Sequence, residues 1–582
     1  MKSAPGRKEE FDYAGLTPPD EIKYVERQAV KRHFGVHGYF TKQAWKVVHA
    51  HVERFSRRGD VVLDPYGGTG VTLVEALALR RKGIHVDINP LSIFIVKNLL
   101  APVNFDALND AYTKVVAAFR RRAPRTEAQV EAALNKYPYP KAVPLMKNAD
   151  VASIEQLFHP TQLAQLACLK HLILKVEDED VRGVLLLMFS GLINKINLTY
   201  HASGDRSEGR GDSSVFRYYR FRLAPQPAAL DVLKYFESRF KKVVDAKKEI
   251  ATLIRPEAIR ETQIYQGTAT DLDRIENETV DYIYTDPPYG SKIPYLDLSI
   301  MFTAWLDLPI KEKAYELEAI EGGELKKSKE SYAALIAQSI KEMYRVLKFN
   351  RWLSFVFAHK DPAYWHMIVE TAERVGFEYA GAVQQRSNQA SFKKRQNPFT
   401  VLHGQLIINF KKVENPKTIM RVSLGADIAD IVIQTIEGVI AKNHGATVDE
   451  INDELIIKGL ELGFLDILGK EYQDLTPLLR EQFDYHEDTA KYHIRKNTKF
   501  KANIDVHVRI RYYLIAYLRR MAHQHRAPTF DEIVLHIMPL LKNGKTPERQ
   551  TILSVLEALA DRVGEDSYRL RTEGQQRLFD KA

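Results

Sequence analysis

One cysteine, Cys168, in 582 residues leaves no partner within the chain, so intramolecular disulfides and cysteine-rich zinc sites are both excluded. No run approaches the roughly 18 consecutive apolar residues of a membrane-crossing helix. The opening residues, MKSAPGRKEEFDYAG, hold no apolar stretch behind their basic residues, so no secretory signal is expected there. The eighteen histidines include no His-Glu-x-x-His and no tight ligand spacing, and no metal is expected. Internal repeats of solenoid period and low-complexity tracts are missing too. What is there is a globular composition, 45% hydrophobic and 27% charged, with a cytoplasmic address expected. The length implies about two to four domains. A net charge of +9 permits attraction to a polyanion, and gains weight only beside a motif that points to nucleic acid.

The helical pattern predicted from about Thr41 to Phe55 is followed by a short apolar strand, Val61-Val62-Leu63. The strand runs into Asp64-Pro65-Tyr66-Gly67-Gly68-Thr69-Gly70, then a helix over Val71–Arg81 and a second strand, Gly83–Asp87. This strand, glycine loop, helix and strand make the first half of a doubly wound α/β fold. From roughly Phe105 to Arg260 the chain reads as mainly helical, with a polar loop at Ala202–Ser214. The α/β rhythm resumes at Gln263–Tyr265 and Val280–Thr285. It continues with a helix over Tyr332–Leu347, a strand at Trp352–Phe357, a helix near Tyr364–Val375 and a last strand at Gly404–Phe410. After about Pro416 the pattern is helical again. Capping boxes are predicted at Thr447/Glu450 and Thr529/Glu532, and an N-cap at Thr546-Pro547. Helices near 529–541 and 547–562 and a strand at Ser567–Leu570 suggest a winged-helix-like end.

Glycines at a strand-to-helix turn let a ligand approach the backbone, and the free N–H groups of the helix start suit an anion. The loop reads Gly-Gly-x-Gly; neither the G-x-G-x-x-G of dinucleotide sites nor the Gly-Lys-Ser/Thr of a P-loop is present. Asp87, at the end of the second strand, is placed to accept from ribose hydroxyls. A nucleoside ligand with a carboxylate, as in a methionine-derived methyl donor, suits both features.

Thr285-Asp286-Pro287-Pro288-Tyr289-Gly290 also follows an apolar strand, at the sheet edge where open α/β folds bind ligands. Two prolines stiffen the loop and remove two N–H donors, leaving carbonyls free to point into a cleft. An exocyclic amino group of a nucleobase is a poor nucleophile because its lone pair is delocalised into the ring. A carboxylate from Asp286 and the carbonyl of Pro287, accepting its two hydrogens, favour a pyramidal nitrogen. Tyr289 offers a face on which a flipped-out base stacks.

Together these elements resemble those of the DNA amino-methyltransferases, whose cofactor motif reads roughly Asp-Pro-Phe-x-Gly-Ser-Gly-Thr-Thr and whose catalytic motif is Asp/Asn/Ser-Pro-Pro-Tyr/Phe. Here Tyr66 stands for the phenylalanine, Thr69 for the serine and Val71 for the first threonine. His37–Lys42 lies where the family holds the methionine end of its cofactor, and Thr268 stands where the family often has an aspartate. Tyr344–Trp352 is similar to the family's Arg-Val-Leu-Lys-Pro-Gly-Gly stretch. Tyr295–Ser299 resembles a subset of bacterial adenine-specific methylases. The resemblance covers about 35–100 and 262–412.

It implies a doubly wound Rossmann-like methyltransferase sheet with S-adenosylmethionine as cofactor, a helical insertion and a mainly helical C-terminal domain. The cofactor would be bound by Tyr39, Thr41, Asp64, Tyr66, Gly67, Gly68, Thr69, Gly70, Asp87 and Thr268. Catalysis would fall to Asp286, Pro287, Pro288 and Tyr289. The motif order is gamma-like, with the insertion between the second and third strands. Four segments follow: 1–104 with the cofactor motif, 105–260 as the insertion, 261–415 with the catalytic motif, and 416–582. The substrate implied is duplex DNA with a flipped base, most readily adenine at N6, in a modification or defence system with partner restriction or defence subunits. Cytosine N4, guanine N2 of RNA, and a nucleic-acid-binding subunit retaining the fold are the alternatives.

Phe216-Arg217-Tyr218-Tyr219-Arg220-Phe221-Arg222 interleaves rings and charges, and reads either as a nucleic-acid contact or as an alternating strand. Arg206, Arg210 and Ser391–Asn397 are further candidate contacts. Arg120–Arg122 and Arg519–Arg520 read as solvated helix faces.

Overall fold

A computed structural model describes residues 11–19, 31–202, 211–227, 230–290, 293–359, 361–386, 404–416, 428–472, 474–495, 506–541, 547–564 and 566–571. Arg206, Arg210, Ser391–Asn397 and Thr546 lie outside them. The chain divides into two compact units: Val25–Lys348, and Met1–Tyr24 together with Phe349–Ala582.

In the unit Val25–Lys348, α1 (Trp45–Phe55) leads to β1 (Val61–Asp64), α2 (Val71–Ala78), β2 (Lys82–Asp87) and α3 (Pro90–Leu100). Helix α1 starts later than its apolar periodicity predicts, because the chain is still extended at Ala44. The strands β5 (Gln263–Gln266) and β6 (Val280–Thr285) complete a parallel set in the order β5-β2-β1-β6. Parallel strands covered on both faces are buried throughout, and every residue of β6 is buried. The polar Asp281 survives in that strand because its carboxylate accepts from the Val61 N–H (2.9 Å) and from Lys348 Nζ (2.7 Å).

Between β2 and β5 runs the helical stretch α4 (Phe105–Arg122), α5 (Glu127–Lys136), α6 (Pro160–Ile173), α7 (Glu179–Ile193), α8 (Ser214–Arg217), α9 (Val232–Leu253) and α10 (Pro256–Arg260). A small antiparallel pair, β3 (Tyr200–Ala202) and β4 (Gly211–Ser213), interrupts it. Its helices share one apolar core with α2 and α3 through residues such as Leu77, Leu99, Leu169, Phe189 and Phe236. The basic-aromatic run is not a strand, and its two phenylalanines are taken up by packing. Ser214–Arg217 forms one helical turn, Tyr219 takes a left-handed backbone (φ 53°), and Phe221 is buried. Phe216 stacks on Phe40 with ring centroids 5.4 Å apart, and Arg217 meets His201 Nε2 at 3.0 Å. Packing thus claims Phe216 and Phe221, because burying a ring contributes more than leaving it exposed. After β6 come α11 (Tyr295–Trp305), α12 (Glu312–Leu317) and α13 (Lys329–Val346).

The unit built on Phe349–Ala582 opens with β7 (Leu347–Phe357), α14 (Pro362–Val375), β8 (Phe377–Arg386) and β9 (Gly404–Lys412), antiparallel in the order β7-β9-β8. Strand β7 starts five residues before the predicted Trp352, and Asn350 takes the left-handed backbone (φ 58°) that asparagine tolerates. Trp352 Nε1 donates to the Tyr13 carbonyl at 2.7 Å. The helices α15 (Ile428–Asn443), α16 (Val448–Leu462), α17 (Leu465–Glu471) and α18 (Thr476–Gln482) follow, then a hairpin of β10 (Asp484–His486) and β11 (Lys491–His493). Last come α19 (Val506–His523), α20 (Phe530–Ile537), α21 (Arg549–Leu559) and the hairpin β12 (Ala560–Val563) with β13 (Ser567–Leu570). Both capping boxes form, at Thr447/Glu450 and Thr529/Glu532. The predicted start at Pro547 is displaced: α21 begins at Arg549 behind an extended Glu548. Arg519 and Arg520 are not a solvated face. Arg519 donates to the Glu461 carbonyl at 2.8 Å and Arg520 to the Glu461 carboxylate at 2.9 Å, tying α19 to the end of α16.

Candidate active site

The carboxyl ends of β1, β2, β5 and β6 open on a cleft of about 800 Å³, lined by the glycine loop, the end of β2, the Asp286 loop and the stretch Leu317–Ala319. The glycine loop takes its shape from Gly68 (φ 53°) and Gly70 (φ 76°), both in the left-handed region. Gly70 is also the N-cap of α2, and a side chain there would meet Val96 at 2.8 Å. A side chain at Gly68 would stand 3.6 Å from the Tyr39 ring, inside the space left for a ligand.

Two aspartates, Asp64 buried and Asp87 half-buried, fix this loop. Asp64 accepts from the Tyr66 N–H (3.1 Å), Thr72 Oγ1 (2.7 Å) and Thr285 Oγ1 (3.1 Å). One carboxylate thereby joins the end of β1, the start of α2 and the strand that delivers Asp286. Burial pushes it up to about 7 against the pull of those donors. Asp87 accepts from the Gly68 N–H (2.7 Å) and the Asn89 N–H (2.8 Å), and burial pushes it up to about 6. Tyr66 bonds Ser339 Oγ at 2.7 Å, and Thr268 bonds Thr270 Oγ1 at 2.9 Å.

On the opposite side, Asp286 receives Gln43 Nε2 at 2.6 Å and the Tyr289 hydroxyl. Burial raises its carboxyl to about 6, and both donors pull the other way. The Pro288 carbonyl accepts from the Tyr332 hydroxyl at 2.8 Å, which pins the proline loop to α13.

Eleven of the fourteen residues singled out from the sequence line the cleft: Tyr39, Thr41, Asp64, Tyr66, Gly67, Gly68, Thr69, Asp87, Thr268, Asp286 and Pro288. Gly70, Pro287 and Tyr289 do not. Gly70 packs on Val96, Pro287 is buried, and Tyr289 is turned toward Asp286.

The cleft also holds residues outside those fourteen. Lys42 donates to the carbonyls of Phe34 and His37, both at 2.7 Å, and burial lowers its ammonium to about 7. Asn89 donates to Ser299 Oγ at 2.6 Å while accepting the Leu91 N–H. The Tyr295 hydroxyl meets Thr41 Oγ1 at 2.9 Å. Glu318 accepts the Leu296 N–H at 3.0 Å and is pushed up to about 8 by burial. Lys42 and Tyr295 lie in the stretches His37–Lys42 and Tyr295–Ser299 that the resemblance marks; Asn89 carried a local signal, an N-cap residue directly before proline at a helix start.

A glycine loop under a helix N-terminus, an acid at the end of the second strand and a proline-stiffened acidic loop, all on one edge of a parallel set, are consistent with a Rossmann-like methyltransferase fold. The residues present fit S-adenosylmethionine. Gly68 leaves the backbone open, Asp87 stands ready for hydroxyl donors, and the start of α2 faces an anion.

Residues 16–97 match the family described as DNA methylase. The chain is 22% identical over 400 residues to the type II methyltransferase M.MjaII of Methanocaldococcus jannaschii, covering 58% of this chain and 74% of that one. It is 23% identical over 261 residues to the type II methyltransferase M.MvaI of Kocuria varians, covering 43% of this chain and 51% of that one. The chain therefore spans about half the length of the second relative. A TehB-like S-adenosylmethionine-dependent methyltransferase from Corynebacterium glutamicum overlays with a TM-score of 0.21 and 8% identity, over 61% of this chain and 82% of that one. That score carries no argument. The family match and both relatives are DNA methyltransferases, and they support the same class for this chain.

Proposed function

We propose that this chain methylates the N6 amino group of adenine in duplex DNA, with the base flipped into the cleft. The main support is the Asp286 carboxyl, which stands in the wall of the glycine-loop cleft with Gln43 donating to it at 2.6 Å. Asp286 would accept one hydrogen of the amino group. The Pro287 carbonyl is the better second acceptor, because the Pro288 carbonyl already takes the Tyr332 hydroxyl. Held from both sides, the nitrogen turns its lone pair away from the ring. When bound, S-adenosylmethionine supplies a methyl group activated by its sulfonium. Asp87 would hold the ribose hydroxyls of that cofactor, with Tyr39, Thr41 and the start of α2 at its methionine end. A carboxyl near 6 is ionised at neutral pH and still basic enough to receive the proton the amino group sheds. For Tyr289 to stack on the base, its hydroxyl must first leave Asp286.

Aspartate in the first catalytic position favours adenine over cytosine within the family, where serine goes with cytosine N4. We assign DNA recognition jointly to residues 105–260 and 416–582, and a setting in modification or defence with restriction partners. The test is labelled S-adenosylmethionine with unmodified DNA and, separately, structured RNA, followed by nucleoside analysis. N6-methyladenine in DNA is expected. N4-methylcytosine would replace adenine as the target, and label confined to RNA guanine would refute the DNA reading. Failure to bind S-adenosylmethionine would leave a nucleic-acid-binding subunit.

A further inference from the structure

The wall of the cleft has a second side. Tyr295 and Glu318–Ala319 face the cleft, while their neighbours Pro294, Asp297 and Ile320 line a separate groove of about 840 Å³. The groove's other wall comes from the helical stretch between β2 and β5, through Lys147, Asn148, Tyr218 and Tyr219. The cleft and the groove therefore share one wall.

The groove is built before any ligand arrives. Gly322–Lys327 is a tight hairpin, closed by Gly322 N–H to the Lys327 carbonyl (2.8 Å) and the reverse bond (2.9 Å). Gly322 (φ 81°), Gly323 (φ 65°) and Lys326 (φ 49°) make its left-handed turn. Glu324 fastens it on two sides: its carboxylate accepts the Lys147 N–H at 2.8 Å, and its own N–H donates to the Asp297 carboxylate. Such preorganisation spares a ligand the entropy of ordering the site.

Its chemistry matches a nucleotide. Lys147 and Lys326 are exposed, and neither makes an ion pair among the described residues. Tyr218 and Tyr219 are half-buried and line the floor. Asn148 and Asp297 add polar groups of the kind that read base edges. Cations with aromatic rings between them are the means by which proteins hold an unpaired strand.

We propose that this groove holds the nucleotide flanking the methylated one in the target strand, with its base against Tyr218 and Tyr219 and its phosphate between Lys147 and Lys326. The proposal rests on the DNA-methyltransferase reading above. It makes the groove a determinant of sequence context, distinct from the cleft that selects the target base.

The test uses the full chain and two variants, Lys147→Ala/Lys326→Ala and Tyr218→Ala, on unmodified bacterial genomic DNA with labelled cofactor. The double variant should raise KM for DNA about tenfold. It should also flatten the slope of log KM against log salt by roughly 0.9, the value for the one phosphate that the two lysines no longer neutralise. Tyr218→Ala should relax the base preference at one position beside the methylated base, read by methylation-sensitive sequencing, without changing which base is methylated. Cofactor binding by calorimetry should stay at the wild-type value in both. Unchanged KM, salt slope and context would overturn the groove, as would a fall in cofactor affinity in parallel with DNA affinity. If the wild-type chain labels no DNA, the methyltransferase reading fails instead. Anisotropy of a labelled duplex against the same variants then still decides the groove, wild-type affinity in both overturning it.

Discussion

Replacing Asp286 by asparagine should make the protein more stable and nearly inactive, and the stability gain should depend on pH in a specific direction. Burial raises this carboxyl from an ordinary value near 3.8 to about 6, which penalises its ionised form by about 3 kcal/mol. Water reaching a partly exposed carboxyl trims that to about 2 kcal/mol. Because the folded value is raised, the neutral form is the stable one. The penalty is absent near pH 4, grows as pH rises toward 6, and is complete by pH 7. Asparagine keeps the shape and both hydrogen bonds, since its carbonyl accepts from Tyr289 and its amide faces a turned Gln43. Asp286→Asn should therefore melt with the wild type near pH 4 and roughly 3 °C above it at pH 8. Methylation should fall at least about a hundredfold, because the acceptor for the amino hydrogen is gone. Thermal unfolding from pH 4 to 8 beside a labelled-methyl assay reads both. A variant that melts lower at pH 8, or by the same margin at every pH, refutes the idea that a buried charge is kept here for chemistry at a cost in stability.

Gln43→Ala removes a donor that holds the Asp286 charge, so the acid limb of kcat/KM should move up from about pH 6 by roughly half a pH unit or more; an unmoved limb would separate Asp286 from that limb. Asp87→Ala loses a carboxylate that orients the Gly68 N–H and should weaken S-adenosylmethionine roughly tenfold to a hundredfold by calorimetry, leaving affinity for DNA near wild type. Glu318, pushed up to about 8, is neutral at pH 7, where glutamine copies it. Glu318→Gln should melt with the wild type near pH 4 and above it at pH 8, because over that range the unfolded wild-type carboxyl ionises while the folded one is still held neutral. Equal melting at both pH values would mean the side chain reaches water.

Where backbone geometry dictates residue type, the site could be read in advance. Gly68 and Gly70 occupy left-handed positions that few other residues hold, and Asp286-Pro287-Pro288 needs its prolines for stiffness. Where the constraint is tertiary, no local pattern signals it. Gln43 reaches Asp286 across 243 positions of sequence, and Glu318 caps a helix start 22 residues before it. The strand alternative for the basic-aromatic run fails because alternation of ring and charge is common to strands and to folded-back loops; the left-handed Tyr219 decides between them and has no sequence signature. Strand β8 was missed because Phe377–Arg386 carries glycine and polar residues that dilute a strand pattern, with Gly381 at its bulge. Arg519 and Arg520 read as solvated because the acceptors they find, on Glu461, lie on a different helix.

Lys42 brings a consequence of another kind. Its amine is held by two carbonyls and no carboxylate among the described residues, and burial leaves it near 7. An ordinary lysine is protonated, and so unreactive, at neutral pH; this one is about half free base, and it lines the cleft. An aldehyde or activated ester carried on an adenosine-like scaffold would meet a nucleophile there. The residue that helps shape the cleft thus also offers an amine of lowered basicity to a covalent ligand.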